Sequence, residues 1–138
     1  MVQEKSQIVA YGQNREGVIL MSVYQDPHLT ITFGRQRVEL DGKVVTLTRK
    51  EYELLALLAQ NAGEIVPRDS LLRLVWGYHE GVRTRTLDVH VRRLRKKLAP
   101  LSGQYIETIF GVGYRFQPYR TKPELLVMRT AAPLVAIA

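Results

Sequence analysis

The sequence predicts an α+β domain in which short antiparallel strands come first, three helices follow, and a β-hairpin comes last. Apolar residues alternate with a period of two before residue 47 and recur every three or four residues between 48 and 98. Glycine-containing β-rich segments within 105–117 then indicate the hairpin. The chain has 138 residues, which is enough for one domain with a hydrophobic core.

The strand signals lie in the N-terminal part of the chain. VILMSV (18–23) is a short apolar run, and LTITF (29–33) alternates apolar residues with threonine. Within QRVELDGKVVTL (36–47), Asp41-Gly42 separates two β-rich segments and suits a type I′ turn, because both residues tolerate positive φ. Residues 1–17 are polar and aperiodic, so they are predicted to be an arm or linker.

The first helix is predicted from its end signals and its apolar period. Thr48 and Glu51 have the spacing of a capping box, in which each residue satisfies a backbone N–H of the other. Apolar residues continue on one face as far as Ala62, and Gly63 is the expected C′ residue that ends the helix.

Two more helices are predicted before the hairpin. One begins at about Pro67, whose fixed φ suits a first turn, and stops at Gly77. The other covers residues 84–98 and is ended by Pro100.

The hairpin is expected to consist of YIETIF (105–110) and YRFQ (114–117), joined by a Gly-Val-Gly turn. The predicted domain therefore covers residues 18–117, followed by a C-terminal tail over 118–138. The apolar part of the tail, 124–138, is interrupted by arginine and proline and is too short to span a membrane. Docking on the domain, pairing with a neighbouring chain and disorder are all open for it.

Positive charge is concentrated near the third predicted helix. Residues 83–98 contain seven Arg or Lys residues and one acid, Asp88, in a chain of net charge +7. Such a distribution indicates a polyanionic partner, either nucleic acid or anionic lipid.

Other classes of function lack their signatures. The chain has no cysteine, its three histidines lack metal-ligand spacing, and no Ser/His/Asp or paired-carboxylate set is present. We therefore expect no enzyme activity, no cofactor and no metal. No apolar run is long enough for a membrane helix, and the N-terminus lacks a secretion signal, so a cytoplasmic location is expected.

A helical wheel divides the third helix into stripes. One stripe is apolar and is predicted to pack on the core: Leu87, Val91, Leu94 and Leu98. The adjacent stripe combines a methyl-bearing side chain, an apolar one and two cations: Thr86, Val89, Arg93 and Lys97. Further cations flank this stripe: Arg85, Arg92 and Lys96. Asp88 and Arg95 lie roughly opposite it, and the spacing of Asp88 predicts that it orients Arg85 and Arg92.

The second stripe suits the major groove of duplex DNA. Arginine can bind the guanine acceptors and an apolar side chain can contact the thymine methyl group, while flanking cations meet phosphates. A purely solvated face would need mixed charge, and a membrane-surface helix would need large apolar residues that the core already uses.

Three segments of the chain resemble the OmpR/PhoB-type winged-helix DNA-binding domains, the effector halves of two-component response regulators. They are VPRDSLLRLVWGY (66–78), RTRTLDVHVRRLRKKL (83–98) and YIETIFGVGYRF (105–116). With LTRKEYELLALLAQNAG (47–63) and the Asp-Gly hairpin, the resemblance covers about residues 29–117. It implies a winged helix-turn-helix with a four-stranded N-terminal sheet, three helices and a hairpin wing, whose third helix enters the major groove while the wing reaches the minor groove.

The resemblance also implies individual contacts with DNA. The residues expected to approach bases are Thr86, Val89 and Arg93. Those expected to meet the DNA backbone are Arg68, Trp76, Arg85, His90, Arg92, Thr108 and Tyr114. The basic helix adds Lys97 to the backbone set. Trp76 is also a candidate core anchor, and Arg95 matches a family contact position although the wheel points it away from the second stripe.

Further implications concern the wing tip, the partners and the missing half of the family architecture. Phe110 stands at the wing tip, where relatives often have an arginine. Loop 77–83 is the loop that some family members offer to RNA polymerase, and direct-repeat DNA sites with a homodimer on DNA are expected. Too few residues precede 29 for a receiver domain, so the chain is expected to be an excised effector domain or a regulator without a receiver. A winged-helix module for protein contacts and an accessory of a nucleic-acid-processing enzyme are the alternative functions.

Overall fold

The computed structural model describes residues 7–13, 19–99 and 105–119. An antiparallel sheet precedes three helical segments, and a C-terminal hairpin follows them, as the sequence predicts. The N-terminal sheet is a meander whose strands pair in chain order. They are β1 (Gln7–Gln13), β2 (Ile19–Gln25), β3 (Leu29–Thr32), β4 (Arg37–Leu40) and β5 (Lys43–Val44).

The alternation predicted for LTITF is confirmed over Leu29–Thr32, and so is the Asp41-Gly42 turn, whereas Phe33 begins a short 3₁₀ helix (Phe33–Arg35). Leu29 and Ile31 of β3 are fully buried, whereas Thr30 and Thr32 are only half-buried. Asp41 and Gly42 join β4 to β5 with φ values of 51° and 83°, the positive values that a type I′ turn requires.

The predicted arm over residues 1–17 is wrong for Gln7–Gln13, which forms β1. This strand pairs with β2 from Gln7 opposite Gln25 to Gln13 opposite Ile19, so the sheet has five strands rather than four. The segment QIVAYGQ contains the β-favouring residues Ile, Val and Tyr. The register shifts between Ile8 and Tyr11, which explains why no regular period of two marks the strand in the sequence.

Helix α1 (Arg49–Gln60) begins with the predicted capping box. The backbone N–H of Glu51 donates to Thr48 Oγ1 at 3.2 Å, and the N–H of Thr48 donates to Glu51 Oε1 at 2.9 Å. The helix ends before Ala62, with Asn61 as its C-cap, so Gly63 is not the C′ residue. Gly63 has a φ of 88° and its N–H donates to the carbonyl of Phe116 at 2.9 Å, which turns the chain toward the second sheet.

The second predicted helix is confirmed, with a strand before it that the sequence did not predict. Strand β6 (Ile65–Pro67) leads into α2 (Arg68–Leu71), which continues as a π-helical turn (Leu72–Trp76). Pro67 is therefore the last strand residue and the N-cap rather than part of the first turn. Gly77 stops the helix in the left-handed conformation, with φ 76°.

The third helix, α3 (Thr86–Lys97), lies against α1. Its predicted apolar stripe is confirmed, because Leu87, Val91, Leu94 and Leu98 are at most 1% exposed. Pro100, the predicted end signal, and residues 120–138 of the predicted tail lie outside the described residues.

The wing consists of β7 (Ile106–Ile109) and β8 (Gly113–Phe116), and β6 pairs with the other edge of β8. β6 and β8 come so close that a Cβ atom on Gly113 would lie 2.1 Å from the carbonyl oxygen of Val66. Only glycine fits here without movement of the backbone. The second sheet is thus anchored at the start of α2.

A buried carboxylate connects the two sheets. Asp26 is 6% exposed and accepts hydrogen bonds from the hydroxyls of Tyr24 at 2.7 Å and Tyr105 at 2.8 Å. It also accepts from the backbone N–H groups of His28 and Leu29, each at 2.7 Å. Burial, together with the bond to Asp26, raises the pKa of Tyr105 far above its usual value, so this phenol stays a donor. The wing is therefore connected at its base to the N-terminal sheet.

Candidate nucleic-acid interface

The exposed side of α3 carries cationic side chains that have no partner among the described residues. Arg92, Arg93 and Lys96 are exposed, and none of their side chains makes a hydrogen bond or an ion pair with another described residue. Thr86 and Val89 are half-buried on the same helix. The three predicted base-reading residues, Thr86, Val89 and Arg93, therefore lie beside the buried stripe of leucine and valine, and the Arg93 side chain has no partner among the described residues.

Thr84 holds the first turn of α3 in place of a conventional N-cap side chain. Its Oγ1 accepts from the backbone N–H of Thr86 at 3.1 Å and lies 3.0 Å from the Thr86 hydroxyl. Arg85 occupies the N-cap position without a side-chain cap bond and is exposed. The guanidinium of Arg85 therefore remains available at the start of the helix.

Asp88 points from α3 toward the wing. Its Oδ1 accepts from Arg68 Nη1 at 2.6 Å and from the Tyr114 hydroxyl at 2.7 Å. The prediction that Asp88 orients Arg85 and Arg92 is wrong for its hydrogen bonds, which go to residues of α2 and β8, although the charge of Arg85 also acts on this carboxylate. The hydrogen bond from Arg68 lowers the pKa of Asp88 below its usual value against the opposing effect of burial, and the Tyr114 bond and the charge of Arg68 act in the same direction.

Arg95 makes a second connection between α3 and the wing. Its Nη2 donates to the carbonyl of Ile106 at 2.8 Å and to Thr108 Oγ1 at 2.7 Å. Its guanidinium carbon lies 5.9 Å from the centroid of the Tyr114 ring. The wheel correctly pointed Arg95 away from Thr86, and the helix–wing contact explains this orientation.

The structure thus gives internal partners to three residues predicted to meet the DNA backbone, namely Arg68, Thr108 and Tyr114. Tyr114 is only 6% exposed. The sequence contained no local signal for these contacts, because each joins residues more than ten positions apart.

Lys97 also has a partner inside the protein. Its Nζ donates to Glu51 Oε1 at 2.6 Å, which connects the last turn of α3 to the first turn of α1. Burial by itself raises the pKa of Glu51, but hydrogen bonds from Lys97 and from the Thr48 backbone lower it below its usual value. Lys97 therefore stabilises a buried carboxylate, a role that the sequence did not predict.

Trp76 and His90 pack against each other, with ring centroids 4.9 Å apart at 73°. Trp76 is half-buried against the hydrophobic core, in agreement with the core-anchor interpretation. His90 Nδ1 lies 2.8 Å from the carbonyl oxygen of Thr86. Because a carbonyl only accepts, Nδ1 carries the proton, and Nε2 could donate to a phosphate only in the imidazolium form.

The wing tip is apolar and exposed. Phe110 is 89% exposed and Val112 is 44% exposed. Gly111 adopts a φ of 79° in the turn, and the carbonyl of Val112 accepts from the backbone N–H of Arg68 at 3.0 Å. Phe110 therefore projects from a turn that is held at the start of α2.

No group of three or more His, Cys, Asp or Glu side chains in the described part of the chain could hold a metal ion. No helix within the same residues is long and apolar enough to cross a membrane.

The chain has a meander sheet, then an exposed, arginine-rich third helix, and a hairpin wing beside that helix. These features together define the class of winged-helix domains of the OmpR/PhoB type. Residues 42–116 match the family described as "Transcriptional regulatory protein, C terminal". The chain belongs to this family, and the resemblance noted in its sequence is confirmed.

Similar proteins include two transcriptional regulatory proteins. The chain is 45% identical over 93 residues to ResD of Bacillus subtilis, a match that covers 65% of this chain and 39% of ResD. It is 47% identical over 90 residues to VxrB of Vibrio cholerae, covering 65% of this chain and 36% of VxrB. The chain thus matches less than half the length of these relatives.

Solved structures confirm the predicted winged-helix fold. The RstA DNA-binding domain of Klebsiella pneumoniae, in complex with the RstA box, has a TM-score of 0.65 and 34% identity, covering 70% of this chain and 98% of that one. The response regulator DrrB of Thermotoga maritima, an OmpR/PhoB homologue, has a TM-score of 0.64 and 36% identity, covering 71% of this chain and 45% of DrrB.

Proposed function

We propose that this chain is the DNA-binding part of a transcriptional regulator and binds specific sites in double-stranded DNA. Helix α3 would enter the major groove, and the β7–β8 wing would lie at the adjacent minor groove. The observation that carries the proposal is a set of cationic side chains without a partner in the described part of the chain, on the exposed side of a helix whose opposite side is buried. They are those of Arg92, Arg93 and Lys96. The RstA domain, similar in fold and sequence, was solved bound to DNA, which supports the same function here.

The proposed roles are based mainly on which side chains have no hydrogen-bond or ion-pair partner among the described residues. Arg93 would bind guanine acceptors, and the methyl groups of Thr86 and Val89 would contact bases beside it. Arg85 and Arg92 would meet phosphates. Trp76 and His90 lie at the edge of this face and complete the proposed backbone contacts.

Salt dependence tests the electrostatic part of the proposal. If about four or five unpaired cations each neutralise one phosphate, log K should fall against log salt with a slope of roughly −4. The binding site is first recovered by selection from a random duplex pool, and affinity for it is then titrated with salt. Binding that hardly depends on salt would instead favour a winged-helix module for protein contacts.

Arg93→Ala tests base reading, with Arg92→Ala as the matched control. Both arginines are exposed and have no partner among the described residues, so neither change removes a bond within the fold. Arg93→Ala should cost about 1–3 kcal/mol on the selected site and relax the preference at one base pair. Arg92→Ala should weaken binding about equally on all sequences. Unchanged base preference in Arg93→Ala would show that another residue reads the site.

Further partners are proposed on the basis of family and exposure. Residues 79–83 of loop 77–83 are exposed beside α3, and we propose that this loop contacts RNA polymerase. Glu80→Ala would then retain DNA affinity and lose regulation in a reconstituted transcription assay, and unaltered regulation would contradict the contact. We also propose that two copies bind direct-repeat sites, and the repeat would be visible in the selected DNA sequences. A cytoplasmic location is proposed as well, in keeping with DNA as the target.

A further inference from the structure

Side chains from α2, α3 and the wing meet at one carboxylate. Asp88 on the first turn of α3 accepts from Arg68 at 2.6 Å and from Tyr114 at 2.7 Å. The same Arg68 donates its backbone N–H to Val112 in the wing turn at 3.0 Å. A cleft of about 220 Å³ between the wing and α3 is lined by these groups. Asp88 therefore lies where the recognition helix, the start of α2 and the wing converge.

Arg95 supplies a second point of attachment on the same side of α3. It lies seven residues after Asp88, or about 10 Å along the helix axis. It donates to the carbonyl of Ile106 at 2.8 Å and to Thr108 at 2.7 Å, both on β7. One attachment would fix only a distance between helix and wing, whereas two attachments separated along the axis also fix the tilt.

For DNA binding, an acidic residue at this place is unfavourable by charge alone, although its position in the first turn of α3 suits the helix dipole. Asp88 is the one acid among the seven cations of residues 83–98. Its side chain is 46% exposed, so a nearby phosphate would be repelled by it. A neutral or basic residue at this position would give a higher electrostatic affinity for DNA. The two short hydrogen bonds to Arg68 and Tyr114 supply a different reason for the carboxylate.

We infer that Asp88 is a positioning residue for DNA recognition, which sets the wing at a fixed distance and angle to α3. Arg68 and Tyr114 serve this carboxylate rather than DNA phosphates. The inference rests on the proposed DNA binding and names the residues that make helix and wing act together. Phe110 at the wing tip then reaches its groove only while α3 is seated in the adjacent one.

Asp88→Asn separates a positioning role of Asp88 from an effect of its charge, because the two predict opposite changes in DNA affinity. The amide is the same size but cannot hold the charge-assisted bond to Arg68 equally well. If Asp88 acts only through its charge, Asn should strengthen binding. If it positions the wing, affinity for the site selected by the wild type should fall by about tenfold, because the loosened wing would have to be ordered when the protein binds. Hydroxyl-radical footprints should then lose protection at the wing while keeping it at α3.

Tyr114→Phe is the second variant, since it removes a single hydroxyl and retains the buried ring. It should reduce wing protection without changing the bases preferred by α3 or the slope against salt. Tyr52→Phe is the matched control, because it also removes one buried tyrosine hydroxyl bond, to the carbonyl of Phe33 at 3.2 Å, far from the wing. Equal or tighter binding by Asp88→Asn with an intact wing footprint would overturn the inference, as would a Tyr114→Phe footprint identical to that of Tyr52→Phe.

Amide exchange in the free protein tests the same connection without DNA. The N–H of Val112, bonded to the carbonyl of Ile109 at 2.9 Å, should exchange faster in Asp88→Asn and Tyr114→Phe than in wild type, while amides of α1 remain unchanged. Unchanged wing exchange in both variants would overturn the inference alone. A wild type that selects no DNA would overturn the proposed function and this role together, so the two failures are distinguishable.

Discussion

Lys97→Met isolates the contact between the last turn of α3 and the first turn of α1. Methionine retains most of the length and apolar stem of lysine but removes the ammonium group that lies 2.6 Å from Glu51 Oε1. The Glu51 side chain is 2% exposed, so the variant leaves a carboxylate buried without its counter-ion. The backbone N–H of Thr48, at 2.9 Å, remains as a partner.

The size of the effect follows from the burial of each partner. Removing one member of a fully buried ion pair costs about 3–5 kcal/mol, because the other charge stays in a poorly polar environment. The Lys97 side chain is 37% exposed, so solvent and salt screen part of the interaction. With this discount and the remaining Thr48 bond, we expect the free energy of unfolding to fall by about 2 kcal/mol at neutral pH.

The pH dependence of this loss has a definite sign. In the folded wild type the pKa of Glu51 lies below 4.5, since the bonds from Lys97 and Thr48 outweigh burial. Stability from the ionised carboxylate is therefore present above that value and is lost as pH falls through the folded-state pKa. In Lys97→Met, burial is opposed less strongly, so Glu51 takes up a proton at a higher pH. The difference in stability between variant and wild type should therefore shrink as pH falls from the folded-state pKa of Glu51 in the variant to its lower folded-state pKa in the wild type.

Urea denaturation at pH 7 and at about pH 4 measures both effects. Lys96→Met is the matched control, since Lys96 is the exposed neighbour with no ion pair among the described residues, and it should leave stability almost unchanged. Adding Glu51→Gln to Lys97→Met should recover much of the loss, because the pair acts as one unit. A Lys97→Met variant as stable as Lys96→Met, but with a salt slope for DNA binding reduced by about one unit, would show that Lys97 serves phosphate instead.

Three other substitutions test separate parts of the molecule. Phe110→Arg should leave the free energy of unfolding unchanged, because the side chain is 89% exposed. It should add about one unit to the slope of log K against log salt and create a preference for A·T base pairs flanking the site. A wild type that already prefers such flanks would contradict this. Thr48→Ala should lower the free energy of unfolding in urea by about 1 kcal/mol without altering the selected bases, and altered bases would show that α1 affects the reading face. Gly113→Ala should cost about 2 kcal/mol or more in the same assay, because its Cβ would lie 2.1 Å from the Val66 carbonyl oxygen, and wild-type stability would refute the close approach.

Features that depend on short-range spacing could be predicted from the sequence. Thr48 and Glu51 are three residues apart, so the capping box can be read directly from the chain. The buried stripe from Leu87 to Leu98 follows from the helical repeat in the same way. Asp41-Gly42 carries its own conformational preference, which the structure confirms.

Features that depend on long-range contacts could not. A helical wheel ranks neighbours within one helix, so it assigned Asp88 to Arg85 and Arg92. The actual partners, Arg68 and Tyr114, are 20 and 26 residues away in the chain. Lys97 and Glu51 are 46 residues apart, and nothing local to either indicates the pair.

The missed strands have a different explanation. β1 pairs with irregular register, so its residues do not alternate, and β6 has three residues, too few to show a period. The base-reading roles of Thr86, Val89 and Arg93 remain predictions, since their placement on the helix is all that the structure provides.

On α3, the exposed side chains without partners are different from the side chains that bond to the wing. This separation affects how the DNA specificity of such a regulator can change in evolution. Arg92 and Arg93 make no bond to the rest of the described fold, whereas Asp88 and Arg95 hold the wing. If Arg93 reads bases as proposed, a mutation there changes what the helix recognises at little cost in folding, and one at Arg92 changes only the affinity. Mutations at the second pair disturb the scaffold. After gene duplication, one copy can therefore acquire a new set of target promoters through a few substitutions on a single helical face, without a compensating change elsewhere.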